Sequence, residues 1–295
     1  MDLDELIVGV YCLLDETLAV ITNGRRLRQR GPDPLLSDAE VLTMEVVGEL
    51  LGFDQDAAIF AYFRRHYAAW FPPLRDIHRT TFTRHAANLW AIKAQIWTQV
   101  VMVIPHDPEV ALIDSFPMPV CRFARARRCR LFGGEAAFGH DEGARQTFYG
   151  FRCHVRLAWP GVIAGVALAP ANVSEPEVAA ALAEHTTGYL IGDRNSWAPL
   201  LTDALAADGV CLLAPWCTAS QDPNPSRSHS LSRIRYRIET VFGQLVERYQ
   251  IKRVRARDLW PLQNRLMRKV LSHTVAILLN HTLGNPPRQL ALLLS

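Results

Sequence analysis

Apolar residues recur at helical spacing through the first hundred positions, then switch after Pro105 to short apolar runs and two-residue alternation. Ser37-Asp-Ala-Glu40 reads as a capping box, with Ser37 as N-cap. It opens a periodic run through Val41, Met44, Val47 and Leu51 that Gly52 closes. The same spacing predicts a helix from Asp56 to Trp70, stopping ahead of Pro72-Pro73, and another from about Thr80 to Ile104. That second start, His78-Arg-Thr-Thr-Phe-Thr-Arg-His85, is polar and basic. A basic helix start behind a short turn fits a helix-turn-helix-like DNA reader, although an aromatic-rich bundle that never meets DNA shows the same pattern.

Beyond Pro105, Val110-Ala-Leu-Ile-Asp-Ser115 reads as an apolar strand interrupted by Asp114. From Phe148 to Ala158, Phe151, Cys153, Val155 and Leu157 fall on one face of a strand and Arg152, His154 and Arg156 on the other. Pro160-Gly161 turns this strand back into Val162 to Leu168, forming a hairpin. An alanine-rich helix follows Ser174-Glu-Pro-Glu177, then a strand ending near Asp193, a helix from about Trp197 to Ala207, and the strand Val210 to Leu213. Ala214 to Ser230 reads as an exposed loop, Ser232 to Tyr249 as a helix, and Leu262 to Leu283 as a last helix. The sum is an α/β protein with a mixed sheet flanked by helices, an all-helical N-terminal part and C-terminal helices.

Composition narrows the function. The 295 residues are 49% hydrophobic, enough for one large domain or a core domain with a helical partner. No run approaches the roughly 18 to 20 apolar residues of a membrane span. The Met-Asp-Leu-Asp-Glu start lacks the positive charge of a secretory signal, so a cytoplasmic protein is expected. Six cysteines show neither C-x-x-C spacing nor the density of a disulfide scaffold. Charge is unevenly spread: residues 1–22 carry five acids and no Lys or Arg, whereas from Pro225 onward thirteen Lys or Arg face three acids. The latter include Lys252, Arg253 and Arg255. A second cluster, Arg122, Arg125, Arg127, Arg128 and Arg130, contains no acid. Such density points to a polyanion, and arginine suits bidentate phosphate contacts.

Asp114 carries the sharpest signal. An ionised carboxylate among Val110, Leu112 and Ile113 is costly to bury unless a cation meets it, and Asp193 repeats the pattern at the end of Tyr189-Leu-Ile-Gly-Asp193. Two carboxylates at two strand ends suggest a shared metal site. Glu239, on the helix beyond the sheet, is a third candidate, and 78 and 45 residues separate the three. An ordinary surface pair with Arg235, one turn earlier, is the alternative for Glu239. His154 reads as a strand-face residue near DNA. Walker A, G-x-S-x-G, H-E-x-x-H and Rossmann glycine patterns are absent from the sequence.

The strand, strand, helix order of the three acids resembles the RNase-H-like core of DDE transposases from bacterial insertion sequences. The words around them carry the likeness: Leu-Ile-Asp-Ser-Phe-Pro at Asp114, Phe148-Tyr-Gly-Phe-Arg152, Leu168-Ala-Pro-Ala-Asn172, Ile191-Gly-Asp-Arg-Asn195 and Arg237-Ile-Glu-Thr-Val-Phe242. Together they look like the insertion-sequence group numbered 982, over roughly residues 105 to 280.

The resemblance implies that Asp114, Asp193 and Glu239 hold two Mg²⁺, with Mn²⁺ as a substitute, for cleavage of transposon ends and strand transfer. It implies double-stranded DNA as partner, both the terminal inverted repeats and the target, and a homodimer on DNA. The expected division is a helical, DNA-binding region at 1–105, an RNase-H-like DDE catalytic domain at 106–260 and a helical extension at 261–295. Arg125, Arg127, Arg128, Arg152, Arg235, Lys252, Arg253 and Arg255 are the expected DNA contacts. Val173-Ser174-Glu175 stands where relatives carry His-Asp, which leaves an accessory role for Glu175 open. A same-fold nuclease without strand transfer and a DNA-binding derivative without catalysis are the alternatives.

Overall fold

A computed structural model describes residues 1–294 apart from 29, 185, 195–198 and 217, without the side chains of 219 and 294. Two compact units emerge, one of Met1–Ile104, Arg248–Gln250 and Trp260–Ser295, the other of Pro105–Glu247 and Ile251–Leu259. The first begins with α1 (Leu3–Thr22), α2 (Asp38–Leu50), α3 (Asp56–His66), α4 (Arg79–Asn88) and α5 (Trp90–Val103). The second comprises β1 (Asp107–Pro119), the single-turn α6 (Phe123–Ala126), β2 (Ala137–Asp141), β3 (Gln146–Trp159), β4 (Val162–Pro170), α7 (Glu175–Ala183), β5 (Gly188–Ile191), α8 (Pro199–Ala207), β6 (Val210–Leu213) and α9 (Pro225–Gly243). The last long helix, α10 (Leu259–Thr282), falls from Trp260 onward in the same compact unit as the first five.

Local chemistry explains most boundaries in the helical unit. The Ser37 hydroxyl accepts from Glu40 N at 3.1 Å while the Glu40 carboxylate accepts from Ser37 N at 2.6 Å, the expected capping box of α2. Gly52 ends that helix with φ +87°. Two expectations need correction. The helix from Asp56 stops at His66, because Tyr67 to Phe71 turn to pack their rings against Phe63 and one another. The helix expected from Thr80 to Ile104 breaks at Leu89. There the buried Lys93 reaches back, and its ammonium donates to the Ala86 carbonyl at 2.8 Å.

Lys93, near the start of α5, belongs to a buried ionic network joining α2, α3, α5 and α10. It pairs with Glu45. Arg268 Nε donates to Glu49 Oε1 at 2.7 Å and its Nη2 to the Asp54 carbonyl at 3.1 Å, while Nη1 pairs with Asp56. Lys269 Nζ donates to Glu49 Oε2 at 2.9 Å. Glu45, Glu49, Lys93, Arg268 and Lys269 are all buried. Desolvation of each charge is costly, and only this mutual pairing offsets it.

In the second unit, six strands form a curled mixed sheet in the order β2-β3-β1-β5-β6, with β4 also paired to β3. β1, β2 and β4 run antiparallel to β3, whereas β1–β5 and β5–β6 are parallel. The expected hairpin is present as β3 and β4. β2 was not anticipated; it shares an edge of β3 with β4, covering Gln146 to Gly150. β1 alternates between two layers. Ala111 and Ile113 join a cluster with Ala179, Ala183, Leu201 and Leu205 of α7 and α8, while Phe116 meets Phe242 of α9 at 4.9 Å between ring centroids. Helices therefore flank the sheet.

The expected helix from Trp197 is described from Pro199 onward, and Trp197 itself lies outside the described residues. α9 starts at Pro225, earlier than expected, so Pro225 to Ser230 is helix and not loop. The Asn224 side chain accepts from Arg227 N at 3.1 Å, and Pro225 occupies the first turn, where its missing N–H costs nothing. Among the described residues no helix is long and apolar enough to cross a membrane.

Replacing Glu49 by Gln leaves Arg268 and Lys269 with a weaker shared partner. A loss of about 3–5 kcal/mol is expected for the helical unit. Chemical unfolding, with hydrogen exchange in α10 as the local readout, measures it.

Candidate metal and DNA site

Register brings the two aspartates together. In the parallel pair, Leu112 lies opposite Ile191. Asp114 and Asp193 each follow by two residues, and neighbouring strands lie about 4.8 Å apart. Gly188 permits this close pairing: its φ is +76°, and a Cβ there would collide with the Glu109 carbonyl oxygen. Both aspartates line one cavity of about 20 Å³ together with Ser115, His154 and Glu175, room for roughly one water or ion. Asp193 lies beyond the carboxyl end of β5, as ligand-binding residues of open α/β sheets do, whereas β1 continues past Asp114 to Pro119, so only one of the two expected strand-end aspartates ends its strand.

Asp114 is held from two sides. Its Oδ1 accepts from Ser115 N at 2.8 Å, and its Oδ2 accepts from Arg235 Nη2 at 2.8 Å. Burial nevertheless pushes its carboxyl up to about 6, with Asp193 and Glu175 adding to the rise and Arg235 opposing it. Beside it, Ser115 Oγ donates to Glu175 Oε1 at 2.7 Å, and Arg152 Nη1 donates to the same oxygen at 3.1 Å. Arg152 also donates to the His140 carbonyl. Arg152 and Arg235, expected at DNA, are therefore ion-paired within the acidic cluster.

Glu239 is exposed on α9, one turn beyond Arg235, and does not line the cavity. Glu175 does. Among the described residues, no three Asp, Glu, His or Cys side chains converge closely enough to hold a metal ion as they stand. The donor set nonetheless suits a hard cation: carboxylates predominate, and burial of Asp114 calls for positive charge.

His154, read as a strand-face residue near DNA, does lie on β3 but is buried. It is 2% exposed, and its Nε2 has no hydrogen-bond partner. Burial, and then Arg152, push its imidazole down to about 4, so it is neutral at pH 7. The alternation of Arg152, His154 and Arg156 looks like a solvent face because nothing in it reveals that α7 packs there. For Glu175 the sequence leaves an accessory role open; its approach to Ser115 depends on the same helix.

The remaining basic candidates lie at the surface. Arg125, Arg127 and Arg128 are exposed on and just after α6, anchored by buried Ala126 and by Phe132, whose ring meets Phe151 at 5.2 Å. Lys252, Arg253 and Arg255 are exposed in the segment after α9, with Lys252 Nζ 5.9 Å from the centre of the Phe116 ring. In the helical unit Arg79 and Arg84 are exposed on α4, while His85 is buried against Asp38 at 2.5 Å.

The shift at Asp114 has a consequence for stability without metal. Its folded value lies above the usual carboxylate value of about 4, so the folded state binds the proton more tightly. Stability should fall as pH rises from about 4 to about 6 and then level off. Urea unfolding in chelator should show this decline in the wild type and a flatter profile in Asp114→Asn.

A family model described as "Transposase DDE domain" matches residues 106–259, just over half of the chain. Neither the curated proteins nor the solved structures return a match. The matched span contains Asp114, Asp193, the arginine cluster and α9, and the chain belongs to the family of transposases with a DDE domain.

Proposed function

We propose that the protein cleaves the ends of a bacterial insertion sequence and joins the freed 3′-hydroxyls to target DNA. The observation that carries this reading is the register of β1 and β5, which brings Asp114 and Asp193 to one cavity. In it Asp114, Asp193 and Glu239 are the ligands of Mg²⁺, or Mn²⁺ in its place, and Glu175 is a fourth carboxylate at the same cavity. Glu239 has to be brought inward from its exposed position for that role. A pair of bound ions would activate the attacking oxygen and stabilise the leaving one during in-line displacement at phosphorus.

The chain's own residues supply orientation and charge. Ser115 N–H fixes one oxygen of Asp114, and Arg152 holds Glu175 against Ser115. Arg125, Arg127 and Arg128, with Lys252, Arg253 and Arg255, neutralise backbone phosphates and so set affinity without reading sequence. We assign residues 106–260 to an RNase-H-like catalytic domain: a central β1 flanked by an antiparallel hairpin and by parallel strands supports it. The helical unit, with α4 as its basic face, is the reader of the element's ends. Joining two ends in one reaction requires at least two copies on DNA, hence a homodimer there. The words around the acids support membership of the insertion-sequence group numbered 982.

Supercoiled plasmid carrying the element's ends, incubated with Mg²⁺, tests the reading. Wild type should nick and join, and Asp193→Asn should be slower by at least about a hundredfold, since metal stabilisation of the transition state amounts to several kcal/mol. Equal products from both proteins would sink the ligand assignment. Nicking without joining would identify a nuclease, and binding alone a derivative without catalysis.

DNA affinity should also fall steeply with salt. Replacing Arg127 and Arg128 by alanine should reduce the slope of log affinity against log salt by about two. A slope that both substitutions leave unchanged would remove this loop from the interface.

A further inference from the structure

We propose that Arg235 and a divalent cation are alternative partners of Asp114, so that an ion entering the site releases the Arg235 guanidinium to a DNA phosphate. The inference rests on the metal-binding reading above and concerns how that site is regulated. Both oxygens of Asp114 are engaged: Oδ1 accepts from Ser115 N and Oδ2 from Arg235 Nη2, each at 2.8 Å. The Ser115 contact is a backbone bond from the next residue and leaves Asp114 its place in β1. The Arg235 contact is the one an ion must displace.

Arg235 is poorly seated where it is. The two side chains are 17% and 20% exposed, so the pair is largely shielded from water. Arginine usually meets a carboxylate through two parallel N–H bonds, but here one nitrogen makes the bond and Nε is buried without a hydrogen-bond partner. A guanidinium in this position forfeits much of what its fork can offer, and a phosphate would satisfy it better.

Electrostatics favour the exchange. Around the cavity Asp114, Asp193 and Glu175 face two arginines, Arg152 and Arg235. A divalent ion bound at Asp114 meets the Arg235 guanidinium at close range, and the repulsion between the two positive charges favours loss of Arg235. Arg152 is the less replaceable of the two, since it also bonds Ser115 and the His140 carbonyl. Arg233 and Arg237 also lie on α9, so release of Arg235 adds to the positive charge that this helix already carries. By linkage, ion and DNA then each raise the affinity of the other.

Two measurements on the full chain test this. Mn²⁺ binding without DNA is followed by electron paramagnetic resonance for wild type, Arg235→Gln and Asp114→Asn. The salt dependence of binding to a short fluorescent DNA duplex is measured with and without Ca²⁺, which leaves the duplex uncut. Arg235→Gln should bind Mn²⁺ about tenfold more tightly than wild type. In wild type, Ca²⁺ should steepen the salt slope by about one phosphate contact, an increment that Arg235→Gln lacks. Equal Mn²⁺ affinity in wild type and Arg235→Gln, with binding lost in Asp114→Asn, would overturn the exchange and leave the metal reading standing. No Mn²⁺ bound by wild type would overturn both. Should Arg235→Gln not fold, a wild-type salt slope unmoved by Ca²⁺ overturns the exchange by itself.

Discussion

A carboxylate in an apolar strand cannot remain there uncompensated, and the second unit is arranged around that constraint. Asp114 sits in β1, where Leu112 and Phe116 on either side are buried. Its charge is met by Arg235 from α9 and by the Ser115 amide, while Asp193 and Glu175 add negative potential from the cavity. Burial outweighs the positive partners, leaving the carboxyl near 6. The parallel pairing of β1 with β5, made possible by Gly188, turns this single feature into a site by setting Asp193 beside it.

The helical unit solves a similar problem differently. Its buried charges are closed on themselves, with Glu45, Glu49 and Asp56 balanced by Lys93, Arg268 and Lys269. Such a network contributes less stability than an apolar core of the same volume, yet it tolerates no missing member. Because its members come from α2, α3, the start of α5 and α10, it ties the end of the chain to its beginning. Asn264 extends the tie by accepting from Lys93.

Much of this was legible in the sequence where local chemistry decides structure. The capping box at Ser37, the alternation of Phe151, Cys153, Val155 and Leu157, and the Pro160-Gly161 turn are each set by residues close in the chain. What remained hidden depends on distant partners. Leu89 interrupts a helix, and Lys93, one turn on, is drawn into an ionic network whose other members lie far away in the chain. β2 is five residues long and is a strand only because β3 offers it an edge. Asp114 and Asp193 were visible as misplaced charges, but Glu175 and His154 meet them only through the packing of α7. Arg152 and Arg235 stood out as positive charge, but the sequence does not show that Glu175 and Asp114 pair with them. Glu239 shows the opposite limit: the order of acids singles it out, and the fold leaves it exposed.

Anomalous diffraction from a crystal soaked in Mn²⁺ tests the central claim most directly, because it locates the ion without reference to activity. The expected result is a peak between the Asp114 and Asp193 carboxylates, with Arg235 withdrawn from Asp114 Oδ2. Mn²⁺ found only elsewhere, or Asp114 still paired with Arg235 at saturating Mn²⁺ and no peak beside it, would contradict it.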